Sequence, residues 1–306
     1  MKYANLEVEI ISNILLGALA LGVLWSIMTI GVYISYRVLN MADLTAEGSI
    51  VLGASVSAVI ISKGGSPYIA VLASMLAGFT AGLVTGFLHT KLNIPALLSG
   101  ILCMIALYSI NIRVMLGAAN ISLLRKRTVF SALMDMGISG NMATLIMGLS
   151  CATLVIVIIY WYFGTEIGSA IRATGNNADM AVAQGINTDH TKVIGLVISN
   201  GLIALSGSLI SQYLGFSDVQ MGVGAIVIGL ASLIIGEVLF ARISFYSTLI
   251  AMVCGAVVYR LVIALVLEAG MPATDLKLFT AITVVVALWL PNFKARLGMF
   301  ASKGRE

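Results

Sequence analysis

Charge is what this chain of 306 residues most lacks. Asp, Glu, Lys and Arg make up 10% of it, against about a quarter of an ordinary soluble domain. Histidine occurs twice, as the isolated His89 and His190, and cysteine three times, at Cys103, Cys151 and Cys254 inside apolar runs of unrelated spacing. These offer no metal-ligand set and no disulfide framework, and read as packing residues. No phosphate-binding glycine loop and no catalytic constellation is present. The four prolines, Pro67, Pro95, Pro272 and Pro291, all fall at the edges of apolar runs, where a missing backbone N–H costs little. What the chain has instead is apolar surface. It is 60% hydrophobic with a mean hydropathy of +1.07. So few charges cannot cover a water-soluble globule of this size, which excludes a cytosolic enzyme, a nucleic-acid binder and a disordered adaptor. The net charge of +4 reflects basic residues at helix ends facing lipid headgroups.

Stretches without an ionisable side chain mark the membrane elements. They run from 30 residues between Asp135 and Glu166, through 27 between Glu9 and Arg37, down to 15 between Glu47 and Lys63. A bilayer core of about 30 Å takes about 20 helical residues. About nine transmembrane or half-membrane helices are expected, in an all-α polytopic fold. The first is expected to remain uncleaved, since MKYANLEVEI carries two glutamates and precedes too long an apolar run for a signal peptide.

Sliding the sequence on itself by 177 residues brings Pro95 onto Pro272, Gly78 onto Gly255, Met75 onto Met252, Ser55 onto Ser232 and Tyr36 onto Tyr213. The short second element, Gly48 to Ser62, then falls on the seventh. Five membrane elements separate the two starts, an odd number, so the copies run in opposite directions through the bilayer. The expected organisation is one membrane domain over residues 1–306. Its repeat copies span about 10–163 and 192–293, with a surface segment at 164–191 between them.

That segment, GTEIGSAIRATGNNADMAVAQGINTDH, reads as two brief helices joined by elbows. Gly175 and Gly185 stand where left-handed helix caps are usual. Asn176 or Asn177 is placed to cap the second short helix, and Asn187 or Thr188 the long helix that follows. Ile167, Ala170, Ile171 and Thr174 are expected to share one face. A second extramembrane segment, 117–141, holds the cluster Arg125, Lys126 and Arg127.

Other residues have alternative readings. Gly78, Gly82 and Gly86 form a small-residue run suited to close helix packing. Asp43 and Glu47, one turn apart at the start of the second element, suit helix capping. No carboxylate is expected deep within a span. Thr45, Ser49, Ser55, Ser57 and Ser232 lie on or beside the repeated short elements, as candidates either to line a pathway or to pack helices. Arg260 falls within the eighth element. A central Arg costs about 2.5–3.5 kcal/mol on insertion scales, so it is expected to face a cavity, a subunit interface or a partner such as Glu237, Glu268 or Asp275, to snorkel to the interface, or to line the pathway and meet a substrate carboxylate.

Three strings carry a resemblance over nearly the whole chain: RVLNMADLTAEGSIVLGA from Arg37, LHTKLNIPALLSGILCMIALYSINIRVM from Leu88 and IRATGNNADMAVAQGINTD from Ile171. The sequence resembles the permease subunits of ATP-binding-cassette importers, in the superfamily of branched-chain amino acid and ribose permeases and its branch annotated for tryptophan or other aromatic amino acids. Gly175, Asn177, Ala181, Gly185 and Ile186 match that superfamily's GxNxxxAxxxGI coupling pattern, with departures at Asp179 and Met180. The resemblance implies an inward transporter in the bacterial cytoplasmic membrane, not itself an enzyme. It further implies two permease copies, taken here as a homodimer, and an extracytoplasmic solute-binding protein. Two ATPase subunits would carry the ATP and magnesium and dock on Arg172, Gly175, Asn176, Asn177, Asp179, Ala181, Gly185, Ile186 and Asn187. No cofactor is implied in the chain itself.

With 164–191 cytoplasmic, the carboxyl tail is cytoplasmic too. The inside then holds Arg37, Lys91, Arg172, Lys192, Arg242, Lys294, Arg296, Lys303 and Arg305, nine of the 17 basic residues, so charge alone does not orient the chain. The alternatives are an ion-coupled secondary transporter built on inverted repeats, and a channel or membrane scaffold. The first wants intramembrane ionisable groups and the second rings of charge or filter carbonyls, neither of which the sequence offers.

Overall fold

The computed structural model describes residues 2–240, 244–272, 275, 278–283 and 285–286, with side chains from Ser12 onward. Helix α1 (Lys2–Tyr33) runs on through a π-helical turn, Ile34–Val38. Then follow α2 (Thr45–Ser62), α3 (Pro67–Thr90) and α4 (Ala96–Val114). Strand β1 (Asn120–Ser122) and the single turn α5 (Ser131–Met134) precede α6 (Gly140–Phe163). The short helices α7 (Glu166–Asn176) and α8 (Ala178–Ala183) lead into α9 (Thr188–Leu214). Strand β2 (Phe216–Asp218) and a 3-10 turn, Val219–Gly222, introduce α10 (Ala225–Phe240), and α11 (Phe245–Glu268) follows.

Eight of these segments are long and apolar enough to cross a bilayer. A ninth is helical over 278–283, and the rest of it, Pro291 and the basic carboxyl tail lie outside the described residues. Proline marks the helix starts as expected: Pro67 opens α3 and Pro95 caps α4. Among the described residues the one departure from an all-α plan is an antiparallel pairing of β1 with β2, Asn120 opposite Asp218 and Ser122 opposite Phe216. It ties the connection after α4 to the one after α9. Neither strand has the alternating apolar pattern that would announce it in the sequence.

Helix α9 is the centre of the molecule. Its glycines and serines leave room for neighbouring backbones, which is how membrane helices pack when lipid is as apolar as the core. Added methyl groups on Gly78 and Gly82 of α3 would strike the Asn200 and Leu196 carbonyls, so the small-residue run is a packing surface. Ser199 donates to the Gly31 carbonyl and Ser206 to the Leu24 carbonyl, each at 2.8 Å. Contacts that rise along α9 while falling along α1 make the two antiparallel.

This is the relation an inverted repeat demands. Shifted by 177, the first span (12–38) lands on 189–215, where α9 lies. Shifted α2 lands on 222–239, over α10, and shifted α3 on 244–267, over α11.

Both short helices begin inside the protein. After Val38 the chain is non-helical as far as Leu44, and Thr45, at the start of α2, is fully buried. Ala225, at the start of α10, is 1% exposed, and one turn on Gly229 packs against Met28 and Val32 of α1.

Candidate functional site

The surface segment folds as two capped helices. Thr165 accepts from the Gly168 N–H at 3.3 Å, Asn177 from the Met180 N–H at 3.0 Å and Asn187 from the His190 N–H at 3.2 Å, so each helix starts on a side-chain cap. Asn177 and Asn187, rather than Asn176 and Thr188, fill the two positions the sequence left open.

Gly185 has φ +80°, the left-handed elbow expected of it. Gly175 does not. It lies within α7 with its Cα against the Val38 carbonyl, so its requirement is close approach and not a special dihedral. The expected apolar face is shifted too. Gly168, Ile171 and Thr174 are buried, while Ile167 is 50% exposed, because α7 packs on the backbone at Phe163 and Val38 rather than lying flat on lipid. The Thr174 and Thr191 hydroxyls, 2.8 Å apart, fasten α7 to the base of α9.

Among the remaining coupling candidates Ala181 is buried and Ile186 half-buried, while Arg172, Asn176, Asn177, Asp179 and Asn187 are exposed. Arg172 reaches back to Ser169 at 3.3 Å and stands 5.7 Å from the Phe245 ring. The outward surface therefore offers Asp179, Met180 and Val182, a charge between two apolar side chains on a rigid base.

A second constellation lies at the inner ends of the half-helices. Asp43 accepts from the Thr45 N–H at 2.9 Å and from Asn200 Nδ2 at 2.7 Å. Asn200 in turn accepts from Ser49 Oγ at 2.7 Å, and the Thr45 and Thr85 hydroxyls meet at 2.8 Å. Asp43 thus caps α2 as expected, but it is 4% exposed and sits halfway along α9. The expectation that no carboxylate lies deep is overturned, because the non-helical stretch before α2 carries Asp43 back into the fold.

Glu47 departs from its expected role more sharply. Its Oε1 accepts from the Gly224 N–H at 3.0 Å, so it caps the start of α10 and not its own helix. Glu47 also lines a cavity of about 450 Å³ with Tyr108, Asn111 and Val223. Asn111 closes that side by donating to the Gly48 carbonyl at 3.2 Å.

Of the serine candidates, Ser57 accepts from Gln212 at 3.1 Å. Ser55 and Ser232, partners under the 177-residue shift, are both buried with no hydrogen-bond partner for Oγ. Thr45, Ser49, Ser55, Ser57 and Ser232 are all buried between helices, and none lines the cavity at Glu47. Arg260 borders a different cavity, on α11. Its proposed partner Glu237 instead holds Arg37 through two bonds, of 2.8 and 3.1 Å.

The family model described as the permease component of branched-chain amino acid transport systems matches residues 14–288. The chain belongs to this permease family. It is 43% identical over 272 residues to a tyrosine transport system permease protein of Clostridioides difficile, covering 89% of each chain. An uncharacterised protein of Rickettsia prowazekii is 33% identical, over 90% of this chain and 97% of its own. Among solved structures, an inward-facing ABC transporter of metal-chelate type aligns with 92% of this chain and 85% of its own, at 17% identity and a TM-score of 0.48.

The permease is thus a multi-pass transporter subunit and not itself an enzyme. Two features of its site were beyond reach of the sequence. Nothing in the apolar run around Asn200 signals that it completes the Asp43 cap, and only the 177-residue spacing of Glu47 and Gly224 hints at their meeting.

Proposed function

We propose that this permease moves an amino acid inward across the bacterial plasma membrane, an aromatic one being the best match. ATP hydrolysis by two separate ATPase subunits would drive it, with α7 and α8 as their docking surface. The observation that carries the substrate class is the 43% identity to a tyrosine transport permease across 89% of both chains. The docking surface is supported by its build: three side-chain caps and a left-handed glycine elbow fix two short helices on the end of α9, so force applied there reaches the centre of the fold. The face bearing α7 and α8 is then cytoplasmic, and a solute-binding protein would deliver substrate at the opposite face. A second, identical permease copy would complete the pathway. ATP and magnesium belong to the ATPase.

The test is co-purification followed by transport. The tagged permease should recover an ATPase, and proteoliposomes of the complex with its binding protein should accumulate labelled tyrosine or another aromatic amino acid only when ATP is supplied. Uptake by the permease alone under a cation gradient would instead establish the ion-coupled reading, for which the buried Asp43 is the structural argument.

A further inference from the structure

Arg260 faces a cavity and, among the described residues, has no carboxylate within ion-pair distance. Its guanidinium carbon lies 4.3 Å from the centroid of the Trp25 ring, and its Nε is buried without a hydrogen-bond partner. Trp25 is in the middle of the first span, so the side chain reaches toward the helix N-terminus and the bilayer centre instead of snorkelling outward. A cation–π contact offsets part of the cost of a charge held there, but it gives the N–H donors no acceptor.

The cavity is about 550 Å³, walled by α1, α6, α9 and α11. Its polar residues other than Arg260 are Asn13, Asn141 and Tyr213. Asn141 donates to the Asn13 carbonyl at 3.2 Å, and the Tyr213 hydroxyl to Asn141 Oδ1 at 3.4 Å. Asn141 and Tyr213 sit at the ends of α6 and α9 remote from α7 and α8, with Asn13 of α1 beside them, and the rest of the wall is apolar, with Leu21 and Ile263. A planar fork of donors at the deep end of an apolar cleft with a polar rim matches one kind of ligand, an oxyanion carried on an apolar body.

We propose that this cavity is a binding site for such a group, a carboxylate or a phosphate, with the Arg260 guanidinium as its fork. Two sources share that chemistry. One is the carboxylate of the transported amino acid, a reading that rests on the proposed function. The other is the phosphate of an anionic lipid from the leaflet opposite α7 and α8, which stands without it.

Delipidated permease in detergent is tested with two probes: labelled L-tyrosine in equilibrium binding, and phosphatidylglycerol against phosphatidylcholine in native mass spectrometry. Wild type should hold one probe about ten-fold or more tightly than R260Q, the loss expected when a charged hydrogen-bond donor is removed, with R260K in between. Tyrosine binding lost in R260Q assigns the carboxylate; selective phosphatidylglycerol retention lost in R260Q assigns the lipid. Equal retention of both probes by wild type and a folded R260Q overturns the site, as does failure of wild type to hold either. Should R260Q not fold, N141L at the rim decides, since a rim variant that leaves probe binding unchanged also overturns it. ATPase recovery, measured separately, tells a failure of this site from a failure of the transporter assignment.

Discussion

Two glycines in one surface segment do different physical work, and substitution separates them. At Gly175 a methyl group would overlap the Val38 carbonyl, so G175A must displace α7 or the end of the π-helical turn. Overpacking of this kind costs about 1–3 kcal/mol, and a lowered melting temperature in detergent is the expected readout. Around Gly185 there is open space, and only the left-handed backbone resists a side chain, at about 1–2 kcal/mol. G185V should therefore leave the transmembrane helices folded and reduce ATPase recovery in a pull-down; unchanged recovery would remove the elbow from the coupling assignment. The sequence marks both glycines without distinguishing them, because a helix-ending glycine and a close-contact glycine look alike until the neighbouring carbonyl is placed. Asn200 is a harder case. N200A would strip Asp43 and Ser49 of buried partners, at about 1–3 kcal/mol for each group left unsatisfied. A double-mutant cycle of N200A with D43A should be strongly non-additive, since either change alone breaks the same bond.

At the scale of elements, the boundaries were largely legible, because in a chain this apolar each charge and each proline is a punctuation mark. Pro67 and Pro95 open helices, and the shift of 177 carries α2 and α3 onto α10 and α11. The π-helical turn and the non-helical stretch behind it were not legible: residues 34–44 contain neither glycine nor proline, and their shape is imposed by α9 and α7. The Arg37–Glu237 pair ties that turn to α10, but Arg37 is 59% exposed, so R37A should change stability by less than about 1 kcal/mol and matter less still at high salt. E47A is expected to cost about 1 kcal/mol as a lost cap, and to loosen the start of α10 rather than that of α2. Hydrogen exchange read along both helices distinguishes the two, and faster exchange confined to residues 45–50 would refute the assignment.

For the whole molecule, composition alone placed the chain in the membrane, while its assembly depends on partners that no single chain contains. The many exposed Leu, Ile and Val side chains on α3, α4 and α6 suit both lipid and a second subunit. Native mass spectrometry should find two permease copies in the intact complex, and a complex with one copy would require the pathway to run within a single chain. The resemblance to importer permeases extends further into mechanism than periodicity could, since periodicity reports which faces are apolar and never what presses on them.

Glu47 meets Gly224, the residue that stands exactly one repeat away from it. A duplicated chain folding back on itself in mirror topology must bring some position face to face with its own copy, and a carboxylate there would confront a second carboxylate. Exact duplication is disfavoured at this spot: a second acid would face the first, and although there is open space around Gly224, its left-handed backbone at φ +81° resists any side chain. Making the two copies alike with G224E would set like charges in one half-buried junction and put a side chain on a left-handed backbone, making the more symmetric protein the less stable one.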